Sequence, residues 1–183
     1  RLEEPVDGVF TSPIRRLTHV QSEDTYMFAA LSEEAQLSVY HLESRKNILT
    51  GKVTFRSRSA QVPYTPRPTA GPPRFAVLSG LGSHMILAWK DGYGLRFNVR
   101  DFDNPFVMET LNFVDGDSSA TLTELTSLLG GTTILAGDST GRVSAWFPAH
   151  VEKRTGPQSG TRLVKAHSFT GGKAPVTTIA SSS

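Results

Sequence analysis

Five histidines, His19, His41, His84, His150 and His167, are the side chains of this 183-residue sequence best suited to hold a metal or move a proton. None forms an H-x-H or H-x-x-x-H pair, the spacings that turn two imidazoles toward one cation, so a zinc site would need ligands gathered across the fold. The chain has no cysteine, which excludes a thiolate metal site, a thiol nucleophile and a disulfide framework. Asp115-Gly116-Asp117-Ser118-Ser119 has the opening of a calcium loop, but Thr126 stands where the closing bidentate glutamate is needed. Gly137-Asp138-Ser139-Thr140-Gly141-Arg142 could offer backbone N–H groups and a guanidinium to an oxyanion, although Asp and Gly are equally what a hairpin turn requires. The sequence contains no nucleophile elbow, Walker loop or dinucleotide-binding glycine pattern, and Asp101, Asp103, Asp115 and Asp117 lie in turn-like segments where no acid–base pair can be assigned. The expectation is a non-catalytic protein with no metal and no cofactor.

Charge supplies the remaining candidates. Residues 1–44 hold three basic and eight acidic side chains, residues 45–90 eight basic and none acidic, residues 91–138 two basic and eight acidic, and residues 142–173 six basic and one acidic. Such alternation can cancel between neighbouring segments or leave a basic patch for an anionic partner. On the second reading Arg56, Arg58, Arg67 and Arg142 are the candidate anion or partner contacts. Basic and aromatic residues interleave only around Tyr64, which is too thin for a nucleic-acid surface, and the net charge of +2 gives no long-range attraction to polyanions.

The elements that would position these residues read as β-strands. Short apolar runs such as Tyr26–Ala30, Phe75–Leu78 and Thr133–Ala136 are bounded by Gly, Ser and Asp. Two segments have some helical character, Ser119–Leu129 and the very short Ser32–Ala35. Ala30, Ala88 and Ala136 each end an apolar strand, and each is followed seven residues later by an aliphatic residue, Leu37, Leu95 or Val143. Polar, turn-forming pentapeptides lie between them, so the unit is strand, tight turn, alternating strand. The units recur at intervals of 58 and 48 residues. A period of that size with several strands per unit predicts an all-β fold of antiparallel sheets, a partial WD40-like β-propeller of about three to four blades in an incomplete ring; a β-sandwich is the competing architecture.

The chain is expected to form a single propeller-like domain over 1–183. The extra length between the first two units lies in 51–73, a stretch rich in Pro and Arg, expected to be an exposed loop insertion because proline lacks the ladder N–H. Ala166-His167 followed by Pro175–Ser182 is expected to open a last unit near 166 that stops inside the blade. Gly82-Ser83-His84-Met85 spells a common cloning scar, yet the repeat needs Met85 to start a strand, so it reads as native. Arg at position 1 and the closing Ser181-Ser182-Ser183 point to a piece of a longer protein. No apolar run is long enough to span a bilayer within it.

Leu78–Trp89, Leu129–Phe147 and the segments Lys165–Phe169 and Ala174–Ser181 resemble the soluble insertion of some bacterial phosphate ABC transporter permeases, through the pattern G-G-T-x-x-x-A-G-D-x-x-G-R-V-S-x-W-F above all. The resemblance implies a propeller-like accessory domain on the periplasmic face of the inner membrane, involved in phosphate import. Its implied partners are the rest of the permease, the partner permease subunit and the periplasmic phosphate-binding protein. It supplies no ligand residues; direct phosphate binding by the basic 45–90 face is an expectation inside that reading. The alternative is a free-standing WD40-type scaffold that binds protein partners. In either case open sheet edges would invite association between chains.

Overall fold

A computed structural model describes residues 12–22, 25–115, 119–128, 131–150 and 160–180. Among the described residues twelve strands form three four-stranded antiparallel sheets, each a meander in which sequence neighbours pair. The first sheet contains β1 (Ile14–Ser22), β2 (Thr25–Ser32), β3 (Leu37–Lys46) and β4 (Val53–Gln61). The second contains β5 (Phe75–Ser79), β6 (His84–Ala88), β7 (Tyr93–Asn98) and β8 (Phe106–Asn112). The third contains β9 (Leu122–Ser127), β10 (Ile134–Asp138), β11 (Arg142–His150) and β12 (Thr161–Thr170). The opening strands β1, β5 and β9 lie side by side, so the sheets are arranged like blades with their first strands innermost. Among the described residues the sheets do not close into a ring.

The three alanine-anchored hairpins stand where the repeat requires them. Ala30, Ala88 and Ala136 lie in β2, β6 and β10, and Leu37, Leu95 and Val143 lie at or near the start of β3, β7 and β11. The middle sheet is covered on both faces, and its alternation divides its side chains between two cores. Ala76, Leu78, Met85, Leu87, Leu95 and Phe97 pack with Leu31, Leu37 and Val39 of the first sheet. Phe75, Val77, Ile86 and Ala88 pack with Leu122, Leu125, Ile134 and Trp146 of the third. Burial on both faces explains why Phe75–Leu78 is apolar without interruption. The outermost strands are different: β4 is exposed along nearly its whole length.

Three segments depart from the expectation. The stretch 51–73 is divided. Val53–Gln61 is a full strand paired with β3 from Lys46 to Ser38, because that half contains no proline and can donate its ladder hydrogen bonds. The prolines begin at Pro63, and residues 62–74 form the connector, with one 3-10 turn at Pro68–Ala70. Ala166 and His167, expected to open another unit, stand inside β12, where His167 is opposite Ala145. The chain then returns along the third sheet, with Val176 N–H donating to Asp138 O at 3.0 Å. Within Ser119–Leu129, Leu122–Ser127 is β9 and not a helix; its partner β10 satisfies its backbone. Ser32–Ala35 passes from β2 into the turn. Met85, in β6, is fully buried, as the native reading of that sequence requires.

Polar ties cross the second blade seam. The Arg96 guanidinium, 3% exposed, donates to Glu109 Oε1 at 2.8 Å and to Thr161 O at 2.8 Å, while Leu163 N–H donates to the same Glu109 oxygen at 3.0 Å. One ion pair thus joins β7 and β8 to β12. Glu109→Ala leaves that guanidinium buried and unpaired, and is expected to destabilise the fold by about 3–5 kcal/mol in urea unfolding; the Arg96→Met/Glu109→Leu double variant should recover most of the loss.

His84 begins β6 with Nδ1 3.0 Å from Ser83 Oγ. Burial foremost, then the charges of Arg96 and Arg100, lower its pKa from 6.5 to about 4. Because the unfolded chain takes up this proton first, its contribution to stability is full above pH 6.5 and is lost as pH falls toward 4. Thermal melts between pH 7.5 and 4.5 should show a smaller decline for His84→Gln than for the parent chain.

Candidate binding face

In each meander the start of the first strand and the turn between the second and third strands lie at the same end. Hydrogen bonds confirm the closeness: Glu33 N–H donates to Pro13 O at 2.8 Å, Arg74 N–H to Ala88 O at 2.8 Å and Ser139 N–H to Thr121 O at 2.9 Å. A fourth, from Leu122 N–H to Lys90 O at 2.8 Å, links the second sheet to the third at that end. Two cavities adjoin this end, and a further apolar hollow of about 430 Å3 lies over the first sheet between Leu17, Phe28, Tyr40 and Leu42.

One of the two is a cleft of about 520 Å3 between the first two sheets, walled by the turn at Glu34–Gln36, by the proline-bearing connector and by Trp89. The connector is pinned: Trp89 Nε1–H donates to Gly71 O at 3.1 Å, and the Tyr64 hydroxyl donates to Ala35 O at 2.5 Å. Proline fixes the backbone between those pins, so the wall is rigid although it is a loop. Tyr64 and Tyr93 meet Trp89 edge to face, with ring centroids 5.8 and 5.7 Å away. Burial raises the Tyr64 phenol above its ordinary pKa.

Beside the cleft lies a polar basin of about 550 Å3. Arg15, Arg16, Arg74 and Lys90 line it with Thr121 and Thr123. Arg15 and Arg16 lie at the start of β1, Arg74 precedes β5, Thr121 precedes β9, and Lys90 opens the turn after β6. All four cations are exposed. Among the described residues no ion pair involves any of them, and no carboxylate lines the basin. Arg16 lies over the Phe75 ring, 5.4 Å from its centroid, and also lines the adjoining channel between β1, β5 and β9, which contains Glu124.

The four arginines chosen from the sequence do not form one site. Arg56 is exposed on β4, opposite Glu43 in the ladder. Arg58, also on β4, bonds Asp103 at 3.0 Å beside the Phe102 ring. Arg67, on the connector, grips Asp91 with two parallel bonds at 3.0 and 2.8 Å and lies over Tyr93, 4.1 Å from the ring centroid. That guanidinium hydrogen bond, first among the causes, holds the Asp91 carboxyl below its ordinary pKa. Arg142, in β11, is paired with Asp115, which also accepts from Lys165 at 2.6 Å. Basic blocks and acidic blocks therefore neutralise one another in part across the fold, and the basin gathers four of the cations that this pairing leaves over. The signal was present in the sequence: Arg15-Arg16 and Arg74 occupy the same place in the repeat, just before or at the start of an inner strand.

The other motifs have structural partners. Asp138 Oδ1 accepts from Thr140 N–H at 2.8 Å, Thr140 Oγ1–H at 2.6 Å and Arg142 N–H at 3.1 Å, so the turn's own carboxylate occupies donors an oxyanion would need. In the calcium-like run, residues 116–118 lie outside the described residues. The histidines are dispersed over β1, β3, β6, β11 and β12. Among the described residues no helix is long and apolar enough to cross a membrane.

The β-propeller domain of Myceliophteria thermophila Cps50 (Swd1) has a similar structure, with a TM-score of 0.55 and 14% identity over 88% of this chain and 48% of that one. Saccharomyces cerevisiae Sqt1 is similar with a TM-score of 0.52 and 10% identity, over 90% of this chain and 37% of that one. The chain thus spans about half or less of the length of these structures. No family model matches it. No curated protein matches it. The fold is a partial WD40-like β-propeller with antiparallel sheets.

These likenesses correct the reading as a phosphate permease domain: the structures that share the fold are not transporter permeases, so phosphate import, the permease subunits and the phosphate-binding protein are withdrawn as function and partners. The physical reason is visible in the matched string, whose described part, Gly131–Phe147, contains the β10–turn–β11 hairpin. Its Gly, Asp and Arg residues answer to turn geometry and ladder packing, which any blade imposes.

Tyr64→Phe removes the hydroxyl that pins the connector to Ala35. It should cost about 1 kcal/mol in denaturant unfolding, and absorbance titration near 295 nm should lose a phenol that ionises above its ordinary pKa.

Proposed function

We propose that this protein is a non-catalytic scaffold that binds an extended segment of a partner protein across the face formed by the cleft and the basin. The observation that carries this reading is the cleft itself. An aromatic and proline wall, fixed by Trp89 and Tyr64, adjoins a polar basin on one end of stacked sheets. Rigid sheets that present loops at one end suit recognition, because little conformational entropy is lost when the partner is seated. Proline-rich and aromatic surfaces contact an extended chain over several residues without needing a catalytic group. The likeness to propeller domains supports the same reading at the level of fold.

Selection of a random 12-residue peptide library against the full chain tests this. Peptides recovered should compete with one another and lose at least tenfold in affinity on Pro66→Ala/Pro68→Ala, which frees the connector without touching either core. A selection that returns no competing peptides, or peptides indifferent to the connector, overturns the reading.

A further inference from the structure

The basin adds a chemistry that the cleft does not. Four exposed cations from three separate parts of the chain, Arg15-Arg16, Arg74 and Lys90, face one cavity of about 550 Å3. Elsewhere Arg58, Arg67, Arg96 and Arg142 are paired with Asp103, Asp91, Glu109 and Asp115, and the exposed Arg56, Arg100 and Arg162 lie outside the basin. Like charges crowded in one concavity repel one another, and an anion that enters relieves the repulsion while gaining fork-shaped guanidinium bonds. Thr121 and Thr123 line the third side, although the Thr123 hydroxyl already donates to Gly137 O at 3.1 Å. The volume is far larger than a single small anion needs, and Trp89, in the wall of the cleft, is the neighbour of Lys90 in sequence.

We infer that the basin receives an acidic stretch of the partner protein, in which closely spaced carboxylates engage Arg15, Arg16, Arg74 and Lys90 while the adjacent part of the same segment occupies the cleft. This rests on the scaffold reading and deepens it by naming the partner's charge. The occupant is a protein segment rather than a nucleic acid because the cations form a compact cluster beside an apolar cleft, not a track along the molecule with aromatic platforms for bases.

The test uses the full chain and three fluorescent probes: a 12-residue peptide of alternating Glu and apolar residues, its Gln counterpart, and a single-stranded 12-nucleotide DNA. The Glu peptide should bind at least tenfold more tightly than the Gln peptide, and its affinity should fall steeply with salt. Arg16→Glu/Arg74→Glu should weaken the Glu peptide by at least tenfold, whereas Lys52→Glu, in the loop at the opposite end of the first sheet, should change it less than twofold. If the double variant does not fold, Lys90→Gln alone should still weaken binding about threefold. Equal binding of the Glu and Gln peptides, indifference to the basin substitutions, or tighter binding of the DNA through the same residues would overturn the inference. Library binders that need the connector yet carry no acidic residues would remove this inference and leave the scaffold reading standing; absence of any binder would remove both.

Discussion

The rest of the structure depends on the double burial of the middle sheet. A strand of alternating side chains normally has one wet face, but β5 and β6 send Leu78, Met85 and Leu87 to one neighbour and Val77, Ile86 and Ala88 to the other. Neither flanking sheet could hold its position without that shared partner, since each meets its core chiefly through it. The binding face follows from this arrangement. Stacking fixes the spacing of the inner strands, and the spacing brings the residues that precede them to one end, where Arg15-Arg16, Arg74 and Thr121 become neighbours.

Charge is organised in the same way, as a product of topology rather than of sequence proximity. Arg58 and Asp103 are 45 residues apart, and Arg67 and Asp91 are 24 apart, yet each pair closes at or below 3.0 Å because successive meanders bring an outer strand or a connector against the next sheet. These exposed pairs contribute little energy individually. Their effect is selective: they neutralise Arg58, Arg67 and Arg142, three of the four arginines that the sequence makes conspicuous, while the cations of the basin stay unpaired among the described residues. Arg96 and Glu109 are the exception, a buried pair that holds two sheets together and is unavailable to a ligand.

The sequence revealed the parts of the fold that carry apolar alternation. Ala30, Ala88 and Ala136, with their turns, located the second and third strands of every sheet because those strands are central in their sheets and carry residues buried in a core. The outermost strands escaped because little of them is buried, Leu163 of β12 and Leu111 of β8 being isolated exceptions. β4 presents Arg56, Ser57, Arg58 and Ser59 to solvent, and β12 presents Lys165, His167 and Ser168, so neither has a hydrophobic period to read. β9 was ambiguous because Leu122 and Leu125 are three residues apart, a spacing that suits one helix face as well as a strand that alternates past a bulge. The site was legible only in part. The basic blocks of the sequence point to Arg56, Arg58, Arg67 and Arg142, whereas the basin is a property of equivalent positions in the repeat. The resemblance to a permease failed for a related reason: hairpin grammar is shared by folds and not by functions.

The two-sided middle sheet also has a dynamic consequence. A stack in which each layer touches only its neighbours has graded protection, because the end layers can open while the centre stays shut, and the reverse would expose both cores at once. Backbone amides of β5–β7 should therefore exchange with solvent only on global unfolding, while those of the first and third sheets exchange through cheaper, partial openings. Arg74 and Lys90 flank the slow layer; Arg15, Arg16 and Thr121 stand on the layers that breathe. An occupant held between them would bridge the two classes, and its binding energy would appear as slowed exchange in the end sheets, far from any atom it touches.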